Sequence, residues 1–247
     1  MSDLQLDKPL KKDMKGGQVK LIQEWVTLHG CATGIDNEYG PATVAAVKLF
    51  QAKAKLPQTG VVDQATFDKL VGPMRRALKP IPPNGHTLGE LALAYAQQHL
   101  KQSPREVGKP NCGPWVRLYM DGNEGEKWYW CAGFATFCIR QASQTLNQKM
   151  PVLRTFGVRQ IADAAKAART FLGRPATAAQ RKKIHAGSLF LEEGGETGYL
   201  HTGMVVNVAG QVFHTIEGNS NPGGSNNGFE VIARTRAFGP AYDFALV

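Results

Sequence analysis

The chain of 247 residues has only four cysteines, Cys31, Cys112, Cys131 and Cys138. They are too few and too scattered for a disulfide framework. No apolar run approaches the length of a membrane span. Residues 1–17 are polar and lysine-rich and lack the apolar region of a signal peptide. The expectation is a protein made in the cytoplasm that reaches any outside target by another route. Finger spacings, basic recognition helices and aromatic-plus-basic RNA motifs are missing, so nucleic acid is not an expected partner. There is no His-Glu-x-x-His and no short-spaced ligand pair. Neither a metal nor another cofactor is expected.

What is present suits a soluble globular protein. Hydrophobic residues make up 43% and charged residues 20% of the chain, enough for a real core. The length allows one large domain or two smaller ones. A net charge of +9 favours an anionic polymer or surface as partner.

The first seventy residues read as helices. Val19, Leu21, Ile22, Trp25, Val26 and Leu28 form a broad apolar stripe that Gly30 closes. Pro41 suits the first turn of a second helix, where its missing N–H costs nothing. That helix carries Val44, Val47, Leu49 and Phe50 and breaks at Leu56-Pro57-Gln58-Thr59-Gly60. Asp63 then caps a short third helix bearing Phe67 and Leu70. The pattern predicts a three-helix bundle. Val19, Leu21, Gln23, Gly30, Gly40, Thr43, Ala46, Val47, Phe50, Gln51, Leu56, Gly60, Val62, Thr66 and Leu70 carry a resemblance to the N-terminal-type peptidoglycan-binding module. It implies binding to bacterial peptidoglycan without catalysis. Asp36, Asn37 and Tyr39, in the loop before the second helix, are candidate wall contacts, since loops on rigid scaffolds often carry binding groups.

Gly72-Pro73 and the run Lys79-Pro80-Ile81-Pro82-Pro83-Asn84-Gly85 read as a semi-rigid spacer with little packing of its own. This divides the chain into residues 1–71, a spacer at 72–86 and a second domain at 87–247. Helical patterns open the second domain, at 88–100, 115–119, 131–146 and 153–172. Period-two patterns follow at 188–191, 200–208, 211–217, 229–236 and 242–247. Helices first and strands afterwards predict an α+β domain with helices packed on an antiparallel sheet. The acidic loop Asp121-Gly122-Asn123-Glu124-Gly125 lacks the ligand spacing of a calcium loop. Arg181-Lys182-Lys183 reads as a solvated face.

One stretch stands out. An aromatic run, Trp128-Tyr129-Trp130, stops at Cys131, and a helical pattern with Phe134, Phe137 and Cys138 begins. Free N–H groups and the dipole at a helix start favour a thiolate, which is a nucleophile. A cysteine nucleophile needs a base, and the base needs an orienting group. His201 and Glu217 can fill those roles, with Asn219 beside them. A two-residue turn at Ala209-Gly210 would put Glu217 on the wrong face, leaving Asn219 as the third member. A three-residue loop at Val208-Ala209-Gly210, or an equivalent bulge, would set 217 opposite 201 on one face. Gly210 supplies the left-handed position of such a loop, so the longer loop, or an equivalent bulge, is expected. Cys138 belongs to the core, Cys31 to the first module, and Cys112 can approach the site but has no base.

Further residues carry a second resemblance. They are Asn111, Gly113, Val116 and Tyr119; Trp130-Cys131-Ala132-Gly133-Phe134; Gly187-Ser188-Leu189-Phe190; His201-Thr202-Gly203-Met204-Val205-Val206; and Thr215-Ile216-Glu217-Gly218-Asn219. Residues 88–247 resemble the CHAP-type cysteine amidohydrolases, kin of the NlpC-type papain-like fold. That implies an amide-bond hydrolase acting on peptidoglycan, as an endopeptidase or an N-acetylmuramoyl-L-alanine amidase. By the resemblance Cys131 is nucleophile, His201 base, Glu217 orienting carboxylate and Asn219 a supporting group. The Cys131 N–H would donate to the oxyanion, and Tyr129 and Trp130 are candidate substrate contacts. Gly133 stands where many relatives carry an acidic residue, which removes support for their calcium site. Two rivals remain: a zinc amidase using His201, His214 and Glu217, and a wall-binding protein with a silent second domain. The arrangement suits a phage endolysin or an injected effector, the latter with an immunity protein as partner. A monomer is expected.

Overall fold

The structure is a computed structural model that describes residues 2–175, 177–196 and 198–247. Its first part is built on α1 (Gly17–Leu28), α2 (Pro41–Lys53) and α3 (Gln64–Leu70). Val19, Ile22, Trp25, Val26, Val47, Phe67 and Leu70 form its buried interior. Asp63 caps α3, accepting the Thr66 N–H at 2.8 Å. Two buried glutamines hold the loops between helices. Gln23 Nε2 donates to Asp36 Oδ1 at 2.7 Å and to Thr43 Oγ1 at 3.0 Å, while its Oε1 accepts the Asn37 N–H at 3.0 Å. Gln51 repeats this one helix later, donating to Thr66 Oγ1 at 3.1 Å and accepting the Gly60 N–H at 2.9 Å. A buried amide with all its capacity used fixes a loop more firmly than apolar packing does.

The expected spacer at 72–86 packs more than its composition suggested. Gly72–Ala77 form a helix, α4, with Met74 and Ala77 buried. Pro73 lies in the first turn of α4, where it starts a helix instead of breaking one. Farther on, Tyr95 Oη accepts the Ile81 N–H at 3.0 Å.

The two parts are clamped together. Trp25 of α1 meets Trp115 edge to face, with ring centroids 6.0 Å apart. Trp115 belongs to α6 (Pro114–Tyr119), which also carries Arg117. The Arg117 guanidinium donates to Glu24 Oε2 at 2.6 Å, to Asp3 Oδ2 at 2.7 Å and to Glu124 Oε2 at 2.7 Å. Lys20 adds a contact to Glu124 at 2.5 Å. Glu24 is almost fully buried, so removing Arg117 leaves a carboxylate in a poor solvent with, among the described residues, only Lys20 beside it, at 3.4 Å. Arg117→Met is expected to destabilise the chain by about 3 kcal/mol, the low end for breaking a buried pair. Limited proteolysis should then cut faster between residues 72 and 87.

The second part places α5 (Leu88–Leu100), α6, α7 (Cys131–Leu146) and α8 (Val158–Ala167) against a six-stranded sheet. The strands are β1 (Phe171–Leu172), β2 (Leu189–Glu193), β3 (Tyr199–Ala209), β4 (Val212–Ser220), β5 (Glu230–Ala237) and β6 (Tyr242–Ala245). A short helix, α9 (Ala178–Arg181), sits between β1 and β2. The order is β1-β6-β2-β3-β4-β5, with every pairing antiparallel, so the domain is α+β. α7 packs on α5 and across β3 and β4. The helix expected at 153–172 is shorter, and its end is a strand: Phe171 and Leu172 pair with Ala245 and Phe244.

His99 is sealed inside this helical layer. Its Nδ1 lies 2.9 Å from Tyr119 Oη and its Nε2 2.8 Å from Gln141 Oε1. Burial pushes its pKa down to about 4, against a small opposing pull from Gln141. The unfolded chain takes up this proton near pH 6.5 and the folded chain only near 4. The contribution of His99 to stability is therefore complete above about pH 6.5 and is lost as pH falls toward 4, by about 3 kcal/mol. The thermal midpoint is expected to drop across that window, and His99→Gln should flatten the drop.

Candidate functional site

The site is built where α7 meets the β3–β4 hairpin. Cys131 is the first residue of α7, and no side chain caps that first turn. Its N–H groups are thus available to an incoming anion, and the helix dipole points the same way.

The hairpin lacks the expected three-residue loop but has the alternative, a bulge. β3 and β4 join through a two-residue turn at Gly210-Gln211, with Ala209 paired to Val212. In that register Glu217 would face away from His201. Farther from the turn, however, Asn207 pairs with His214 while Val205 pairs with Thr215, so Val206 is an extra residue. This bulge flips the parity. Continued along β3, the new register sets Gly203 opposite Glu217 and His201 opposite Asn219. Glu217 therefore reaches His201 diagonally, across residue 203. A Cβ at residue 203 would lie 2.7 Å from Glu217 Cγ, so the diagonal needs a glycine there.

His201 Nε2 is 2.9 Å from Glu217 Oε2. The same carboxylate receives Arg236 in bidentate fashion, Nε to Oε1 at 2.6 Å and Nη2 to Oε2 at 2.8 Å. Thr215 Oγ1 donates to Oε1 at 2.7 Å and Ser220 Oγ to Oε2 at 3.2 Å. A carboxylate held by that many donors is ionised and only accepts, so His201 Nε2 carries its hydrogen. Burial alone would raise the Glu217 pKa; Arg236 and His201 outweigh it and hold the carboxyl well below the usual range. Among the described residues, His201 Nδ1 has no hydrogen-bond partner. Burial alone would lower the His201 pKa; Cys131 and Glu217 together push it up to about 9. The imidazole is thus charged near neutral pH and fixed at Nε2 by Glu217.

Arg236, Thr215 and Ser220 were not anticipated from sequence. The charges of β5 alternate, which reads as a wet face, and nothing local marks Arg236 as the partner of a residue on the adjacent strand. Asn219 is fully buried with φ of 52°, and neither polar atom of its carboxamide has a partner among the described residues.

Several candidate contacts fall elsewhere. Trp130 is buried, donates from Nε1 to Glu106 Oε1 at 2.8 Å and stacks on Tyr119 at 5.6 Å. It supports the core beneath Cys131 and is not placed to touch a substrate. Tyr39 is also buried, with Oη donating to Gly60 O at 2.9 Å, so it braces the first module from inside. Its aromatic body filled the core because the loop folds over the bundle. Asp36, Asn37 and Tyr129 are exposed. Cys138 is buried, and burial pushes its thiol pKa well up. Cys112 is half-buried, its thiol also raised by burial.

Among the described residues, no group of three or more His, Cys, Asp or Glu side chains could hold a metal. His214 Nδ1 lies 2.9 Å from Thr235 Oγ1 and, by alternation along β4, faces away from Glu217. The acidic loop is spent on cations of the protein: Asp121 pairs with Arg140 and Arg154, and Glu124 with Lys20 and Arg117. Any side chain at residue 133 would meet Met120, and its Cβ would lie 2.7 Å from Tyr119 O, so an acidic residue has no room there.

The family model of the peptidoglycan binding domain matches residues 15–70, the three-helix unit. The match supports a peptidoglycan-binding module here, with peptidoglycan as its partner. No curated protein matches the chain. Among the described residues no helix is long and apolar enough to cross a membrane.

Proposed function

We propose that the chain is a wall-targeted cysteine hydrolase that cuts an amide bond of peptidoglycan. One arrangement carries this reading: a cysteine at the start of α7, the helix packed across β3 and β4, with His201 on β3 and Glu217 of β4 holding one nitrogen of that ring. In the reaction, the Cys131 sulfur attacks the amide carbonyl carbon as the thiolate, its proton already held by the His201 imidazolium. The negative oxygen is met by first-turn N–H groups of α7. His201 returns the proton to the leaving amine, the C–N bond breaks, and a thioester remains. Water then frees the acid and restores the thiol. Glu217 keeps the ring oriented and stabilises its charged form. The N-terminal module supplies attachment to the polymer.

The test is digestion of purified sacculi by the full chain. New primary amines and soluble fragments, identified by mass, are expected. A preparation that binds sacculi and releases neither would remove the reading.

One observation favours a second reading, a wall-binding protein with a silent second domain. Cys131 is only 2% exposed and His201 and Glu217 are fully buried. The same digestion separates the two, because a silent domain leaves the sacculi intact at every enzyme concentration.

A further inference from the structure

The bidentate pairing of Arg236 with Glu217 uses Nε and Nη2 and leaves Nη1 for other partners. Nη1 donates to Glu192 Oε2 at 3.1 Å and to Tyr242 Oη at 3.1 Å. Glu192 lies on β2, directly opposite His201 of β3 on one side and Tyr242 of β6 on the other. Directly paired residues share a face of the sheet, with Cβ atoms about 5 Å apart. Phe190, two residues back on β2, shares that face. Its ring centre is 5.7 Å from that of His201, and the Arg236 guanidinium lies 4.6 Å over it. Glu192 thus joins His201, Glu217 and Arg236 in one group. The side chains of His201 and Glu217 are 0% exposed, that of Arg236 9% and that of Glu192 19%, so Glu192 is the end nearest water. Neighbouring carboxylates are engaged elsewhere: Asp243 accepts from Tyr199 at 2.7 Å, and Glu193 pairs with Arg174.

We propose that Glu192 is a positioning residue of this site: it fixes Arg236 from the outer side and supplies the carboxylate that balances a charged His201. Arg236 and Glu217 cancel one another. A charged imidazole beside them leaves one positive charge in a buried group, which is costly unless it is paired. Before reaction the Cys131 thiolate can pair it. Once the sulfur has attacked, its negative charge moves to the substrate oxygen at the first turn of α7. The imidazolium must then hold its proton until the leaving nitrogen takes it, and Glu192 is the remaining carboxylate of the group. The groups acting on the imidazole are therefore Cys131 of α7, Glu217 of β4, Glu192 of β2 and, through both carboxylates, Arg236 of β5. A nearby carboxylate favours the charged form of an imidazole, so removing Glu192 lowers the pH at which His201 gives up its proton. The role in catalysis rests on the hydrolase reading above; the effect on the imidazole does not.

The experiment follows the His201 ring signals of the full chain by NMR as pH is varied, in a Cys131→Ala background so that the imidazole titrates without the thiol. A His201→Gln chain assigns the signals. Glu192→Gln keeps the size of the side chain and an acceptor for Arg236 but removes the charge. It is expected to lower the titration midpoint by about one pH unit. Glu192→Asp keeps the charge and should hold the midpoint nearer that of the parent. Coinciding midpoints in the glutamine chain and the parent overturn the inference. If the glutamine chain does not fold, Glu192→Ser, which admits water, is measured with the same expectation. With Cys131 in place, the alkaline limb of amine release from sacculi should move to lower pH by a similar amount in Glu192→Gln, and Glu192→Asp should restore it. A uniform loss of rate with the limb unmoved marks a merely structural role and overturns the inference, while the hydrolase reading stands. If no chain releases amines, the parent included, the hydrolase reading fails, and the NMR titration alone decides the role of Glu192.

Discussion

Cys131→Ala is expected to abolish fragment release from purified sacculi, by at least about 10³-fold, while binding to sacculi persists. The sulfur is the nucleophile at the helix start, whereas the Thr215 and Ser220 hydroxyls are spent on Glu217. The substitution removes one small atom from a helix start and leaves the apolar packing of Phe134 and Phe137 untouched. Binding belongs to the module at residues 15–70, which holds none of the reacting groups. The separation of the two functions is therefore the informative result. Cosedimentation with sacculi measures the first, and amine release the second. Clearing by the alanine variant at the rate of the parent chain would place the chemistry elsewhere.

Arg236→Met is expected to cost about 3–5 kcal/mol of stability and to shift the pH dependence of whatever activity survives. Glu217 is fully buried, and its charge is tolerated because Arg236 approaches both of its oxygens. The same guanidinium lies 4.6 Å over the Phe190 ring and donates to Tyr242 Oη at 3.1 Å. Methionine keeps much of the packing and removes the charge, so the loss reports the electrostatics. The sign follows from the depressed Glu217 pKa. Its contribution to stability is present above the ordinary carboxylate pKa and is lost as pH falls below that value. Without Arg236, burial dominates and raises the carboxyl pKa above its unfolded value, so the sign reverses: the destabilisation is full at high pH and shrinks as pH falls and Glu217 takes up a proton. The deficit of the variant relative to the parent in denaturation should therefore be larger at pH 8 than at pH 5. An Arg236→Lys chain, which keeps a charge without the bidentate fork, should fall between the two.

Much of the architecture was legible because it rests on periodicity. The apolar stripe of α1, the Pro41 start of α2 and the Asp63 cap of α3 each follow from one residue type at one place. The change to period two near residue 188 likewise marks where helices give way to the sheet. The candidate site was legible in its members but not in its geometry. Side-chain parity on β3 depends on a single extra residue at Val206, and no residue type announces a bulge. A count from the hairpin turn alone puts Glu217 on the wrong side, although the residue does meet His201. Trp130 and Tyr39 failed as surface candidates for a related reason. A large aromatic beside a functional loop is as useful under it as on it, and only the packing decides. Arg236 was hidden because a long charged side chain on a half-wet strand looks solvated until a buried carboxylate is found in its reach.

The clamp around Arg117 sets a limit on how the molecule can work on a surface. A module hung on a loose tether sweeps a volume and can address many points from one anchorage. Here Trp25 against Trp115, and Glu24 and Asp3 against Arg117, hold the module directly against the second domain. Whatever the second domain does, it does at a set offset from the point of attachment. Progress along a polymer then requires the anchor to let go, so weak, rapidly reversible attachment would serve this protein better than tight attachment.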